Sequence, residues 1–345
     1  MTELNIEYLD NQFISLDITD GLLFVGGNQE LKWQILRTFK RLDKGKSLIE
    51  LEQKIYGENG IEVYLDNHLI NKKTHDFYIL DSSDAIYQLF SYSKGSLLYQ
   101  HLSLLKDNFD VDQFIYQINE KYLELENYLN REMIKDSDNI SLVLKDLSLD
   151  SILKNQLLLR YSIDNDEFPL EFIDAELLID EFIHFLKLQL LMTKRPTWVI
   201  LNNLNSFLNK EQQQYLMSHL KQLHQETKLL YFLIFSNSDF LLDITEEDLS
   251  RIVILYSEVQ QMPEFPIFKE SISRHYPDKF SWSDQELVNS FARVVNYIGK
   301  NVDMTCFSAR DMVLLKVLKG VLSDETSITY QLNSLTELER KFLND

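Results

Sequence analysis

The stretch "LLFVGGNQELKWQILRTF" at 22–39 joins an apolar strand to a helix through two glycines, Gly26 and Gly27. That is the layout of a phosphate-binding loop, in which backbone amides cradle phosphates, a lysine neutralises them and a hydroxyl binds magnesium. The pattern GxxxxGK(S/T) is incomplete here. Lys32 falls close to the wanted lysine, but no glycine precedes it, and Trp33 stands where Ser or Thr belongs. The ordinary reading is a strand-to-helix turn whose small residues permit close packing. The strand "WVILNN" would supply the acid of such a site at its C-terminal end, yet it closes on Asn202 and Asn203. Neutral amides do not replace a carboxylate beside Mg²⁺, so hydrolysis of any bound nucleotide is expected to be slow or absent. "DSSD" at 81–84 offers Asp81 and Asp84, a composition that an exposed turn explains.

The helix after the glycines carries the strongest positive signal. At 100° per residue, Ile35, Leu36, Phe39 and Leu42 fall on one side, and Arg37, Lys40, Arg41 and Lys44 on the other. Between 32 and 46 stand Lys32, Arg37, Lys40, Arg41, Lys44 and Lys46 against a single acid, Asp43. Cations at helical spacing match what a phosphate backbone requires, and Trp33 on the same face could stack or wedge. The plainer alternative is a solvated helix that neutralises nearby acids. Lys72, Lys73, Lys194 and Arg195 could extend the patch.

Other reactive groupings are sparse. Acids cluster at Asp136 and Asp138, at Asp164, Asp166 and Glu167, and at Glu246, Glu247 and Asp248. Neither DxD run has the sixth-position glycine of a calcium loop, so solvated loops are the ordinary reading, although Asp136 and Asp138 beyond Glu132 could gather oxygens around calcium. His219 and His224 lie five apart, off a shared helical face, and the lone Cys306 excludes both an internal disulfide and zinc spacing. There is no Ser/His/Asp triad, nucleophile elbow or HExxH, so an enzyme is not expected.

The elements that must position these residues can be read from periodicity. Residues 5–80 read mostly as strand: "FISLDI", "LLFV", a hairpin turning at Asp66 and Asn67, and "FYIL", with one helix at about 30–42. From 86 to 192 the pattern is helical. "DVDQFIYQINEKYLELENYLNREM" places Val111, Ile115, Ile118, Tyr122, Leu125 and Leu129 on a heptad seam capped by Asp110 with Gln113, expected to pack lengthwise on a helix at 170–192. Strands return at "TWVILNNL", "KLLYFLIFSN" and "RIVILY", with a helix at 210–225 entered through Asn209 and Gln212. Apolar strands without polar alternation imply a parallel sheet covered on both faces, hence an α/β domain with a helical insertion. Near 262 lies a boundary: "QQMPEFPIF" at 260–268, with Pro263 and Pro266, begins a texture that is helical to the end.

Composition bounds the function. A net charge of -20 on 345 residues describes a soluble chain that repels nucleic acid and anionic membranes except at a local patch. The start "MTELNIEYLD" reads as no signal peptide, and the longest apolar run, "LLYFLIF", is far too short to span a bilayer. A cytoplasmic location is expected. Few glycines and prolines argue against long flexible linkers.

With "FVGGNQ", the acidic helix "LELENYLNREMIKDSDNISLVLKDL", the run "KRPTWVILNNLNSFLNKEQQQYLMSHLKQL" and "KLLYFLIFSNSDF", the chain resembles the Csn-two (Csn2) family of type II-A CRISPR spacer-acquisition proteins in its long form. The resemblance covers about 1–257. It implies an α/β head, related to P-loop ATPases but without ATPase activity, at 1–85 and 195–257, a helical leg at 86–194, and a helical extension at 258–345. It further implies a ring-shaped homotetramer that takes double-stranded DNA ends through a basic central hole, without nucleotide, with calcium supporting the assembly. Lys32, Arg37, Lys40, Arg41, Lys44 and Lys46 match the family's DNA contacts best, and Glu132, Asp136 and Asp138 correspond loosely to its calcium ligands. The implied partners are the spacer integrase proteins and the RNA-guided effector nuclease; no membrane is implied. Two rivals from other classes are a divergent nucleotide hydrolase or kinase and an acidic protein–protein adaptor using the heptad face.

Overall fold

Strand β1 (Thr2–Leu9) and strand β2 (Gln12–Ile18) open the chain as an antiparallel hairpin. In β2, Ile14, Leu16 and Ile18 are buried while their neighbours are exposed, the period-two pattern of a sheet packed on one face. The computed structural model describes residues 2–58, 60–135, 139–163, 166–236, 244–303, 308–329 and 336–344. Strand β3 (Gly21–Val25), buried throughout, leads into helix α1 (Gln29–Lys44). The Asn28 side chain caps α1 by accepting from the Leu31 amide, and Gly45 ends it in the left-handed region at φ 61°. Helix α2 (Glu50–Tyr56) and strands β4 (Val63–Leu65), β5 (His68–Leu69) and β6 (Asp76–Leu80) follow. The turn at Asp66 and Asn67 forms as expected, with φ of 46° and 64°, values those two residue types tolerate.

Residues Ser83–Thr193 form one compact unit, and Met1–Ser82 with Lys194–Asp345 the other. The first contains α3 (Ser83–Gln88), α4 (Leu97–Ser103), α5 (Phe109–Met133), α6 (Leu149–Gln156), the hairpin β7 (Arg160–Ile163) and β8 (Asp166–Pro169), and α7 (Ala175–Thr193). Its core comes from α7 packed on α3 and α4 through Leu178, Phe182, Leu186, Ile86, Leu97 and Leu98.

The long heptad helix departs from expectation. It starts two residues earlier, capped by Asn108 instead of Asp110, and none of its residues is buried. Its half-buried side is tied to the extended segment 139–148 rather than to α7. Asn119 bonds both the N–H and the C=O of Leu147, Asn130 does the same for Leu142, and Glu126 accepts from the Leu144 amide. Amide side chains that satisfy backbone groups select an extended strap, a pairing that apolar periodicity does not reveal.

The chain then supplies β9 (Thr197–Asn202), α8 (Lys210–Thr227), β10 (Leu230–Phe235), β11 (Ile252–Leu255) and β12 (Val259–Gln261). As read from the sequence, Asn209 and Gln212 close a capping box on α8. Six strands form one sheet in the order β12-β11-β3-β10-β9-β6, parallel except for β12, while β2-β1-β4-β5 form a separate antiparallel sheet. The protein is therefore mixed α/β with a mostly parallel main sheet. Helix α1 packs on β6 and β11 of the main sheet and on β1 of the other. Phe39 meets Trp198 at 6.0 Å, and the Thr38 hydroxyl donates to the Glu7 carbonyl at 2.8 Å. Burying such an aromatic contributes roughly 1.5–3 kcal/mol.

Helices α9 (Phe265–His275), α10 (Asp284–Val294), α11 (Ala309–Val321) and α12 (Glu337–Asn344) complete this unit. Leu287, Phe291, Leu314 and Leu315 are fully buried where α10 meets α11. Among the described residues, no helix is long and apolar enough to cross a membrane.

Candidate nucleic-acid interface

The double covering of α1 decides where its cations go. Two sheets leave the helix a narrow outward stripe through Trp33, Arg37, Lys40 and Lys44. The expected cationic face of Arg37, Lys40, Arg41 and Lys44 is interrupted, and of the six cations between 32 and 46 two, Lys32 and Arg41, are buried. Lys32 is 4% exposed, and its ammonium donates to the Ser236 carbonyl at the end of β10. Burial, then the nearby Lys300 charge, lowers its pKa to about 8. Arg41 is also buried, donating to Glu52 Oε2 at 2.9 Å and to the Ser47 carbonyl at 2.7 Å. That hydrogen bond holds the Glu52 carboxyl below its usual range. A helical-wheel reading sees neither partner set, because Ser236 follows β10, and Ser47 and Glu52 lie beyond the end of the helix.

Within the stripe, Arg37 stacks over the Tyr56 ring at 5.4 Å and donates to its hydroxyl at 3.0 Å. Lys40 pairs with Asp81 at 2.8 Å and lies 5.8 Å from the Trp33 ring. Lys44 and Lys46 are exposed. Lys46 gathers with Lys72 and Lys73 beyond the C-terminal end of α1, where Arg41, Lys46, Ser47, Asn71, Lys72 and Lys73 help to line a groove of about 470 Å³. Lys72 is paired with Asp43, and Lys73 is exposed. Around this groove Arg41, Lys46, Lys72 and Lys73 outnumber the two carboxylates that pair with them, Asp43 and Glu52. The partial negative charge of the helix C-terminus adds a local reason for lysines there.

Arg195, expected to extend the patch, frames it instead. Its guanidinium donates to the carbonyls of Lys72, Lys73 and His75 at 3.0, 3.1 and 3.3 Å and pairs with Asp76 at 3.4 Å. Burial, followed by the Arg195 charge, lowers the His75 pKa. Lys194, next to it, is exposed with φ 52°.

The glycine turn is engaged internally. The Gly27 amide donates to the Ile298 carbonyl at 2.7 Å, and the Asn28 amide to the Leu255 carbonyl at 3.1 Å. Asn202 ends β9 half-buried, and Asn203 adopts φ 57°. Residue order carries no signal for the 298–300 segment, because a lone Gly-Lys pair in a helical texture has no periodicity to betray it.

Of the expected calcium ligands, Glu132 is exposed and pairs with Lys135 at 2.6 Å, while Asp136 and Asp138 lie outside the described residues. Among the described residues, no three His, Cys, Asp or Glu side chains come together in a way that could hold a metal.

The family model for "CRISPR-associated protein Csn2 subfamily St" matches residues 7–344. No curated protein matches the chain. Among solved structures, Stu0660 of Streptococcus thermophilus is similar in fold, with a TM-score of 0.79 at 20% identity over 99% of this chain and 99% of that one. cbiO1 from Clostridium perfringens, part of the ABC transporter complex cbiONQ, reaches a TM-score of 0.40 at 14% identity over 79% and 95%, which is too distant to carry an argument. With nearly its whole length matched, the chain belongs to the Csn2 family of CRISPR-associated proteins, subfamily St.

Proposed function

We propose that this chain is a non-catalytic, sequence-independent binder of double-stranded DNA ends that works as a ring-shaped homotetramer during CRISPR spacer acquisition. Family membership supports the adaptation role. The single observation that carries DNA binding is the groove at the end of α1, where lysines from two separate segments converge in a chain of net charge -20. Phosphodiesters are held by such flexible ammonium groups without regard to sequence. Lys44, Lys46, Lys72 and Lys73 are the contacts in this reading, with Arg41 as the groove wall; Arg37 and Lys40 serve as secondary contacts. Lys32, turned inward, takes no part. Four copies facing one opening would multiply a weak single-groove affinity, while the acidic remainder discourages nonspecific adhesion.

The P-loop-like layout is, in this reading, a scaffold. Its turn amides meet backbone carbonyls, which supports a role without nucleotide turnover. The integrase proteins and the effector nuclease of the same system are the proposed protein partners. The adaptor alternative draws support from α5, which exposes Phe114, Leu125 and Tyr128 at 64%, 47% and 60%. A mobility shift on linear duplex tests the main reading: K46E/K72E/K73E should abolish it without changing the oligomer's mass, whereas an unaltered shift removes the groove from consideration.

A further inference from the structure

Three donors that a phosphate loop would aim at its ligand all meet backbone carbonyls of this chain. The Gly27 amide meets Ile298, the Asn28 amide meets Leu255, and the Lys32 ammonium meets Ser236. Two of those carbonyls belong to the ends of main-sheet strands or the residue beyond, but Ile298 arrives from the C-terminal helical region.

The fit is close on both sides. A Cβ on Gly27 would come within 2.7 Å of the carbonyl carbon and oxygen of Gly299. A Cβ on Gly299 would come within 2.7 Å of Tyr256 Cβ and 2.9 Å of its Cα, and Gly299 sits at φ 79°, which favours glycine. Two backbones approach here at a distance that side chains would forbid. The arriving segment is also held from behind. The Gly299 amide donates to Asp324 at 2.6 Å, and the buried Lys319 ammonium donates to the Lys300 carbonyl at 2.8 Å while pairing with Asp324 at 3.5 Å.

We propose that residues 298–300 are a built-in plug, an intramolecular stand-in for phosphate that occupies the glycine turn and thereby denies it to phosphorylated ligands. The glycines persist because this contact needs them, although the loop's chemistry is gone. The plug gives Lys32 no counter-charge: its acceptor is neutral, and Lys300 adds a second cation nearby, consistent with its lowered pKa. This inference is independent of the DNA-binding reading, since it concerns the turn at the C-terminal end of β3, inside the main sheet, and not the groove.

The test uses hydrogen exchange of the Gly27 and Asn28 amides in the full chain, with inorganic pyrophosphate as the probe. In the native protein both amides should be protected, and millimolar pyrophosphate should change neither. G299A, which crowds Tyr256 and replaces none of residues 26–32, should speed Gly27 exchange roughly tenfold, the loss of one hydrogen bond. Pyrophosphate should then slow it again, and adding K32A should abolish that response. Should G299A fail to fold, D324N loosens the same segment from behind with the same expected pattern. The proposal is overturned if native Gly27 responds to pyrophosphate with the plug in place, if neither variant speeds its exchange, or if the exposed turn ignores pyrophosphate.

Discussion

Arg195 donates from its guanidinium to the backbone carbonyl of Lys73 at 3.1 Å, so the lysine's main chain is pinned while its side chain stays in solvent. A charge that frames a cationic loop from behind repels no phosphate and competes for none. R195M should therefore act on DNA only indirectly. Loss of charge-assisted bonds to Lys72, Lys73 and His75 should lower stability by about 1–3 kcal/mol, read from the urea midpoint, and weaken duplex binding a few-fold through loop disorder. A loss of binding with unchanged stability would instead put Arg195 on the DNA.

Burial separates two groups of cations that the sequence presents as one. K46E and K73E should each weaken duplex binding and flatten the dependence of log affinity on log salt, by about 0.9 for every phosphate no longer neutralised. K32A should leave both quantities unchanged, because its ammonium faces Ser236. Fluorescence anisotropy over a salt series reads both effects, and an equal loss in all three variants would contradict the distinction.

Lys32 also makes a pH prediction. Its folded pKa of about 8 lies below its ordinary 10.5, so between those values the unfolded chain binds more protons. Burying the ammonium is unfavourable below pH 8, and that penalty lifts as pH rises towards 10.5. Relative to K32M, the native protein should gain stability from pH 7 to pH 10, on the order of 2 kcal/mol. Paired denaturant titrations measure it; a flat difference would mean that Lys32 keeps its proton throughout.

The strap along α5 rests on two asparagines. N119A removes both bonds to Leu147 and should cost about 1 kcal/mol, with faster proteolysis within 139–148. Restored protection in N119D, whose carboxylate can still accept from the Leu147 amide, would be partial, since it cannot donate to the carbonyl.

Much of this architecture was legible in residue order. The Asp66–Asn67 turn, the Asn209–Gln212 cap and the apolar strands β3, β9, β10 and β11 are local signals, and local structure obeys them. What was not legible depended on neighbours distant in sequence. Lys32 and Arg41 read as solvent cations because nothing in 29–44 announces the Ser236 carbonyl beyond β10 or the Glu52 carboxylate of α2 that receive them. The heptad seam announced a helical partner, whereas Asn119 and Asn130 recruited a strap whose backbone, not its side chains, is recognised. Lys72 and Lys73 were nameable as extensions of the patch, but placing them beside Lys46 needed the β4–β5 hairpin and the Arg195 frame.

In the proposed function, duplex ends are held by multivalent, sequence-blind charge. The most direct measurement compares binding to linear and covalently closed circular duplex of identical sequence, with and without calcium, alongside the mass of the protein in solution. The expected result is a four-chain assembly that retains linear DNA, releases it as salt rises, and binds the closed circle far more weakly. Equal affinity for both forms, or a single-chain species that binds linear DNA as tightly, would contradict it.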